Sequence, residues 1–372
     1  MLYSFTGDSL AAVLNVHVVV NVLITVGYCH LFAPYLGKYS KWALLAIPLL
    51  AQNIYRAGIS RVTNDLHLVA VYILMMLALQ RKKFGLVSLL YSCAVAYKMN
   101  ALFFGPPLLF TYLCCLPLKR VVLHFGGMAI FQAVLPLPFW LTDASHYAKI
   151  AYNFSRDFEP PYNMAWGFLS DAWRTSPIFY KFLLLLTLFF LAALYYPLVI
   201  RALRQSKASR STSNNSQITF SAMELFLQTF VATNFVCYVF TRGIHMQFFL
   251  WISWSIPYLL MRCCQMNPVL SILLYVVLDW CHSWVANVVI LPELFSLTPL
   301  QAFTQLQGVP WTAANADTLT ILGGYYNQGW SLSVWPASFL LFSAECIILW
   351  RLYAVLYRSA VVDTEGKGMV AI

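Results

Sequence analysis

Apolar residues recur along the chain in long runs without a polar face, interrupted by short polar or basic segments, and neither a 3.6-residue nor a two-residue alternation dominates. Helices that are apolar all round belong in a bilayer, where about 20 residues cross the hydrocarbon and fewer suffice when a helix is short or broken. The runs predict helices near residues 10–33, 42–55, 66–80, 84–97, 101–116, 121–141, 179–200, 222–241, 248–262, 269–291 and 334–357. The reading is therefore an all-α polytopic membrane protein of about eleven transmembrane helices, a single multi-pass domain over 1–372.

Composition agrees. Hydrophobic residues make up 61% of the 372 positions and charged ones 10%, far below the roughly 25% of soluble domains, which excludes a water-soluble fold. The formal net charge of +10 does not point to nucleic acid, because no basic stripe lies on a soluble face and cytoplasmic loops collect Lys and Arg. If alternate connections face opposite sides, one side holds 15 of the 23 basic residues, among them Lys38, Lys41, Arg81, Lys82, Lys83, Lys119, Arg120, Arg262 and Arg358. By the positive-inside rule that side is cytoplasmic.

The connections differ in kind. Residues 201–217, basic and Ser-rich, read as a disordered cytoplasmic linker, and 358–372 as a cytoplasmic tail. The segment 142–178 on the other side carries Tyr, Trp, Arg and acidic residues at a density suited to a folded interfacial loop, as aromatic belts also are. Nine Cys without a C-x-x-C suggest neither zinc nor a disulfide framework, so no metal is expected. Asn153-Phe154-Ser155 is a glycosylation sequon, and no nucleotide-binding glycine loop, HExxH or GxSxG occurs.

Charge in or beside a span is costly and is usually paired or functional. Arg61 and Asp65 stand four apart and could pair on one helix face. Lys98 and Asn100 interrupt an apolar stretch just before Gly105-Pro106-Pro107, which suggests a polar notch facing a cavity. Arg156, Asp157, Glu159 and Trp166 cluster on the non-cytoplasmic side. Arg242, His245 and Gln247, with Trp251, crowd a tight turn whose donors suit an anion or a sugar hydroxyl. Glu224, Asp279 and Glu345 lie at or in spans and could pair inside the bundle. Polar residues and broken helices would also fit a secondary transporter, but the paired repeats expected of one are not visible.

Three runs in this order, ISRVTNDLHLV, CAVAYKMNALFFGPPLLF and TRGIHMQFFLWISWSIPYLL, carry a resemblance. They resemble the dolichyl-phosphate-mannose dependent alpha-1,3-mannosyltransferases of the endoplasmic reticulum, from about Leu2 to Cys264 and again near Trp330. The matches are R-x-x-N-D at Arg61, Asn64 and Asp65; K-M-N at Lys98, Met99 and Asn100; and the R-x-x-H-x-Q-F-x-x-W of Arg242, His245, Gln247, Phe248 and Trp251. A weaker one places the family's luminal R-x-F and W-x-F-L at Arg156, Phe158, Trp166, Phe168 and Leu169.

The resemblance implies a GT-C-like bundle in the endoplasmic reticulum membrane with its active site facing the lumen. It implies dolichyl-phosphate mannose as donor, dolichol-pyrophosphate-linked Man5GlcNAc2 as acceptor, no cofactor, and one inverting displacement. Such a reaction needs cations or donors for the leaving phosphate, here Arg242, His245 and Lys98, with Arg61 or Arg156 as alternatives. Trp166 and Trp251 would stack on a sugar or the polyprenyl chain, and Asn64, Asn100 and Gln247 would contact hydroxyls. It also needs a carboxylate base. Relatives carry one in an acidic luminal loop upstream of the matched region, so the chain is expected to be N-terminally shortened; otherwise Asp65, Asp157 or Glu159 replaces that base, or the chain is inactive. Residues 281–329 read as a luminal insertion relative to the family.

Overall fold

The computed structural model describes residues 10–37, 65–151, 166–209, 217–241, 243, 248–290 and 338–358. Within them the chain is helical, with no strand. In order come α1 (Leu10–Phe32), α2 (Asp65–Gln80), α3 (Phe84–Tyr97), α4 (Gly105–Cys115), α5 (Leu118–Val134), α6 (Leu137–Ala151), α7 (Pro177–Ser209), α8 (Gln217–Val239), α9 (Pro268–Ile290) and α10 (Ser338–Arg358). A 3-10 turn over Met99–Phe104 joins α3 to α4. The stretch after Thr241 re-enters as short helices at Phe249–Ser253 and Ile256–Tyr258 and a π-wound turn at Leu259–Cys263. The helix predicted at 42–55 lies outside the described residues, and so does the 281–329 insertion from residue 291 on; its first ten residues continue the helix Pro268–Ile290.

The helices form where the apolar runs predict them, but the count of full spans does not follow. Among the described residues, three helices are long and apolar enough to cross a membrane, in 15–35, 177–200 and 338–358, and a bent pair at 118–134 and 137–147 would make a fourth. The expected eleven counted short or broken apolar runs as spans. Of these, α2 and α3 have 16 and 14 residues, about 24 and 21 Å of rise, which is short of a hydrocarbon core of about 30 Å.

The run predicted as one helix at 121–141 bends by 72° between α5 and α6. Pro136 and Pro138 lack the amide hydrogens a continuous helix needs. The second half then carries helix into the segment read as a luminal loop, and at a further kink the Asp143 carboxylate accepts from the His146 amide at 2.9 Å. Likewise α7 continues as helix through Ser209, inside the segment read as a linker.

Lipid-facing and buried positions are both apolar, so burial sorts them where hydropathy cannot. On α1, Val19, Val22, Leu23 and Val26 are exposed to the surroundings, whereas Ile24, Tyr28, Leu31 and Phe32 are buried. Between helices that both prefer lipid, close backbone approach and dispersion do the holding. Gly27 marks such an approach: a Cβ built there would sit 2.5 Å from Ile73 Cγ2 on α2. Gly27→Ala is expected to force α1 and α2 apart and cost about 1–3 kcal/mol, read as a lower thermal midpoint in detergent. An unchanged midpoint would show that Ile73 moves aside freely.

One end of the bundle gathers residues that the charge reading assigns to the cytoplasm. Phe32 and Tyr35 at the end of α1 pack their rings against Tyr258, at 4.6 and 6.4 Å between centroids. Nearby, Arg262 Nε donates to Glu224 Oε1 at 2.7 Å, one of the pairings anticipated for the acidic residues in spans. Glu345 is buried too, but its Oε1 has no hydrogen-bond partner among the described residues.

Candidate functional site

At the other end three of the sequence-identified side chains meet. Asp65 opens α2, and Lys98 follows the last residue of α3; the two helices form a hairpin closed by Arg81-Lys82-Lys83. Asp65 lies 17 residues before Lys82 and Lys98 lies 16 after it, so antiparallel helices of equal rise bring the two charges level. The ammonium of Lys98 donates to Asp65 Oδ1 at 2.5 Å. The indole Nε1 of Trp251, 186 residues along from Asp65, donates to the same oxygen at 2.5 Å.

Aromatic rings close around this junction. Trp251 stacks on Phe248 with centroids 4.2 Å apart, and the Lys98 ammonium lies 4.9 Å from the Trp251 ring centroid and 5.2 Å from that of Phe248. Cation–π attraction adds to the ion pair where water is scarce. From α8, Asn234 Nδ2 donates to the Trp251 carbonyl at 2.9 Å and so fixes the segment that presents the indole.

Burial is unequal. The Asp65 side chain is 0% exposed and that of Lys98 is 23% exposed. Lys98 therefore opens toward the surroundings, and among the described residues only Asp65 accepts from it, which leaves two of its three N–H donors for another acceptor. Asp65 Oδ2 and Asn100 Oδ1 are buried with no partner among the described residues. The notch predicted around Lys98 and Asn100 thus holds one cation and two uncommitted oxygens.

Backbone geometry explains why Lys98 leaves the helix. Its φ of −156° and ψ of 125° are extended, and the 3-10 turn Met99–Phe104 then leads into α4. Pro106 and Pro107 stand in the first turn of α4, where a missing N–H costs nothing, and they keep α3 and α4 from merging. At Gly105 a Cβ would come within 2.9 Å of the Tyr91 hydroxyl, so the turn is packed against α3.

The two tryptophans expected to stack on ligand are mostly buried. Trp251 is 8% exposed with its N–H spent on Asp65, and Trp166, also 8%, packs against Phe168, Phe179 and Phe342. Trp166 Nε1 donates to the Thr241 carbonyl at 3.3 Å, which ties the weaker luminal motif to the turn that carries Arg242. Both rings brace the site in this conformation. Arg61, Asn64, Arg156, Asp157, Glu159, Arg242, His245 and Gln247 lie outside the described residues. So does the expected Arg61–Asp65 pair; the described partners of Asp65 are Lys98 and Trp251.

Sequence reasoning passed over two buried imidazole contacts. His17 of α1 meets His67 of α2 edge to face at 4.8 Å, two residues beyond Asp65. His282 Nε2 is hydrogen-bonded to the Tyr238 hydroxyl, and its ring stacks on Phe249 at 4.3 Å, beside Phe248. Histidines inside apolar runs were the available signal. No group of three or more His, Cys, Asp or Glu that could hold a metal occurs among the described residues.

A helical membrane protein that keeps a buried carboxylate, a half-open ammonium and aromatic walls at one end of its bundle has there the kind of intramembrane ionisable group that marks a candidate functional site. The family description "ALG3 protein" matches residues 1–286, and the chain belongs to that family. It is similar to the Dol-P-Man:Man(5)GlcNAc(2)-PP-Dol alpha-1,3-mannosyltransferase of Kluyveromyces lactis, 30% identical over 265 residues that cover 65% of this chain and 56% of the relative. It is also similar to the proteins so named from Homo sapiens, 30% identical over 218 residues (56% and 48%), and Arabidopsis thaliana, 28% over 234 (59% and 53%). The chain spans about half the length of these curated relatives. No solved structure matches it.

Proposed function

We propose that the chain acts in the endoplasmic reticulum membrane as an inverting mannosyltransferase. It would take mannose from dolichyl-phosphate mannose and form an alpha-1,3 linkage on dolichol-pyrophosphate-linked Man5GlcNAc2 at the luminal face. The observation that carries this reading is the Lys98–Asp65–Trp251 junction, in which residues from all three motifs of the resemblance converge on one carboxylate oxygen. The names of its relatives support the same donor and acceptor.

In this reaction the acceptor hydroxyl oxygen bonds to mannose C1 while the C1–O bond to phosphate breaks. The electron pair leaves on dolichyl phosphate and the hydroxyl proton passes to a carboxylate. Charge grows on the departing phosphate, and a preoriented cation away from bulk water stabilises it. Lys98 is suited to that role: Asp65 and two aromatic rings hold its ammonium, and its remaining N–H groups are available. Asp65 is fully buried and holds both Lys98 and Trp251 on one oxygen, which makes it a positioning residue for Lys98 in place of the base offered from sequence. The proton would go to a luminal carboxylate outside this pair. By the resemblance, Arg242 and His245 would add donors for the phosphate, and Asn100 offers its open Oδ1 to a hydroxyl.

The test is complementation in cells lacking the alpha-1,3-mannosyltransferase, with the chain expressed alone and behind the N-terminal segment of the Kluyveromyces lactis relative. Extension of the five-mannose lipid-linked intermediate by one mannose is expected in at least the joined form. Persistence of that intermediate in both, with the protein present in the membrane, would overturn the reading.

A further inference from the structure

The end of the hairpin opposite Lys98 carries a second polar feature, unused by the transfer chemistry. A surface pocket of about 550 Å³ opens between the α2–α3 turn and the start of α5. Lys82, Lys83, Arg120 and His124 line it together with apolar walls that include Leu116 and Leu123, and no carboxylate is among the lining residues. Three permanent cations facing one hollow repel one another, and an anion placed between them relieves that repulsion.

The hollow is built, not incidental. Lys82 holds a φ of 55° in a turn closed by Lys82 N to Leu79 O at 2.8 Å and Lys83 N to Ala78 O at 2.9 Å. Behind it the Tyr112 hydroxyl donates to the Phe84 carbonyl at 2.9 Å. Ser88 Oγ lies 2.9 Å from that hydroxyl and 3.1 Å from His124 Nδ1. This network locks α3, α4 and α5 together under the pocket and orients the imidazole. Leu86 in its wall is exposed, as are Leu118 and Val122 on α5, an apolar surface suited to acyl chains.

The 14 residues of α3 separate Lys83 from Lys98 by about 21 Å, so the pocket sits at the end of the hairpin away from the candidate transfer site. It is on the side that the charge pattern assigns to the cytoplasm, and basic pockets between helices there suit lipid headgroups.

We infer that this pocket binds one anionic phospholipid of the surrounding bilayer, its phosphodiester and headgroup charge held by Lys82, Lys83 and Arg120 and its acyl chains lying on the adjacent leucines. The experiment is native mass spectrometry of the full chain released from mixed micelles of phosphatidylserine and phosphatidylcholine. One retained phosphatidylserine is expected, preferred over phosphatidylcholine, and inorganic phosphate at millimolar concentration should not displace it. Each cation removed should weaken retention about fivefold, so K82Q/K83Q/R120Q should weaken it roughly a hundredfold. The exposed single variant R120Q, checked for an unchanged thermal midpoint, guards against a folding artefact. Equal retention of the two lipids, undiminished retention in the triple variant, or displacement by free phosphate would each overturn the assignment.

Discussion

Lys98→Met is expected to be the most damaging single change in the candidate site, lowering mannose transfer by at least about 100-fold and stability by about 3–5 kcal/mol. The reason for the second number lies in unequal burial. Removing Lys98 strands the fully buried Asp65 carboxylate with an indole N–H as its only described partner, whereas Asp65→Asn leaves an amide oxygen for Trp251 and frees a lysine that already reaches the surroundings. Asp65→Asn should therefore cost only about 1–2 kcal/mol, because the buried group becomes neutral and its hydrogen bond survives.

Combining the two separates structure from chemistry. The K98M/D65N variant should regain most of the stability lost in K98M, since no unpaired buried charge remains, yet its transfer should stay as low as that of K98M because the Lys98 cation is still missing from the phosphate site. Thermal midpoints in detergent and single-turnover transfer from dolichyl-phosphate mannose would decide. Recovered activity in the double variant would remove Lys98 from the phosphate site and leave it a structural partner of Asp65.

Phe104→Ala should cost about 3–5 kcal/mol, the range for emptying an aromatic site in a core. Phe104 is 1% exposed, stacked on Phe230 at 4.1 Å between centroids and meeting Tyr72 edge-on at 4.3 Å. It ends the 3-10 turn that starts after Lys98, so it pins that turn to α2 and α8. Loss of the ring should loosen Lys98 as well as the core, and Phe104→Leu should recover much of the stability but less of the transfer rate. Equal recovery of both would mean that the turn is held by Gly105 and the prolines alone.

Much of this was legible beforehand for identifiable reasons. Apolar runs mark helices reliably because a backbone in hydrocarbon must satisfy its own hydrogen bonds, and α3 ends at the residue expected. The notch at Lys98 and Asn100 could be read from charge inside an apolar run. What could not be read was partnership. Arg61 is the neighbour of Asp65 in sequence, but the described geometry brings in Lys98 from 33 residues away and Trp251 from 186. Hairpin arithmetic about Lys82 could have found the first of these; nothing local could have found the second.

Sequence alone determined that the chain is a helical membrane protein and which motifs carry polar groups into an apolar setting, since both follow from the cost of charge and unpaired backbone in lipid. Tertiary structure decided where Pro136 turns one apolar run aside and that Asp65 anchors Lys98 beneath Trp251. Those outcomes rest on packing between surfaces that are all apolar, where hydropathy has no preference and only shape, small residues and the few buried hydrogen bonds choose the neighbour.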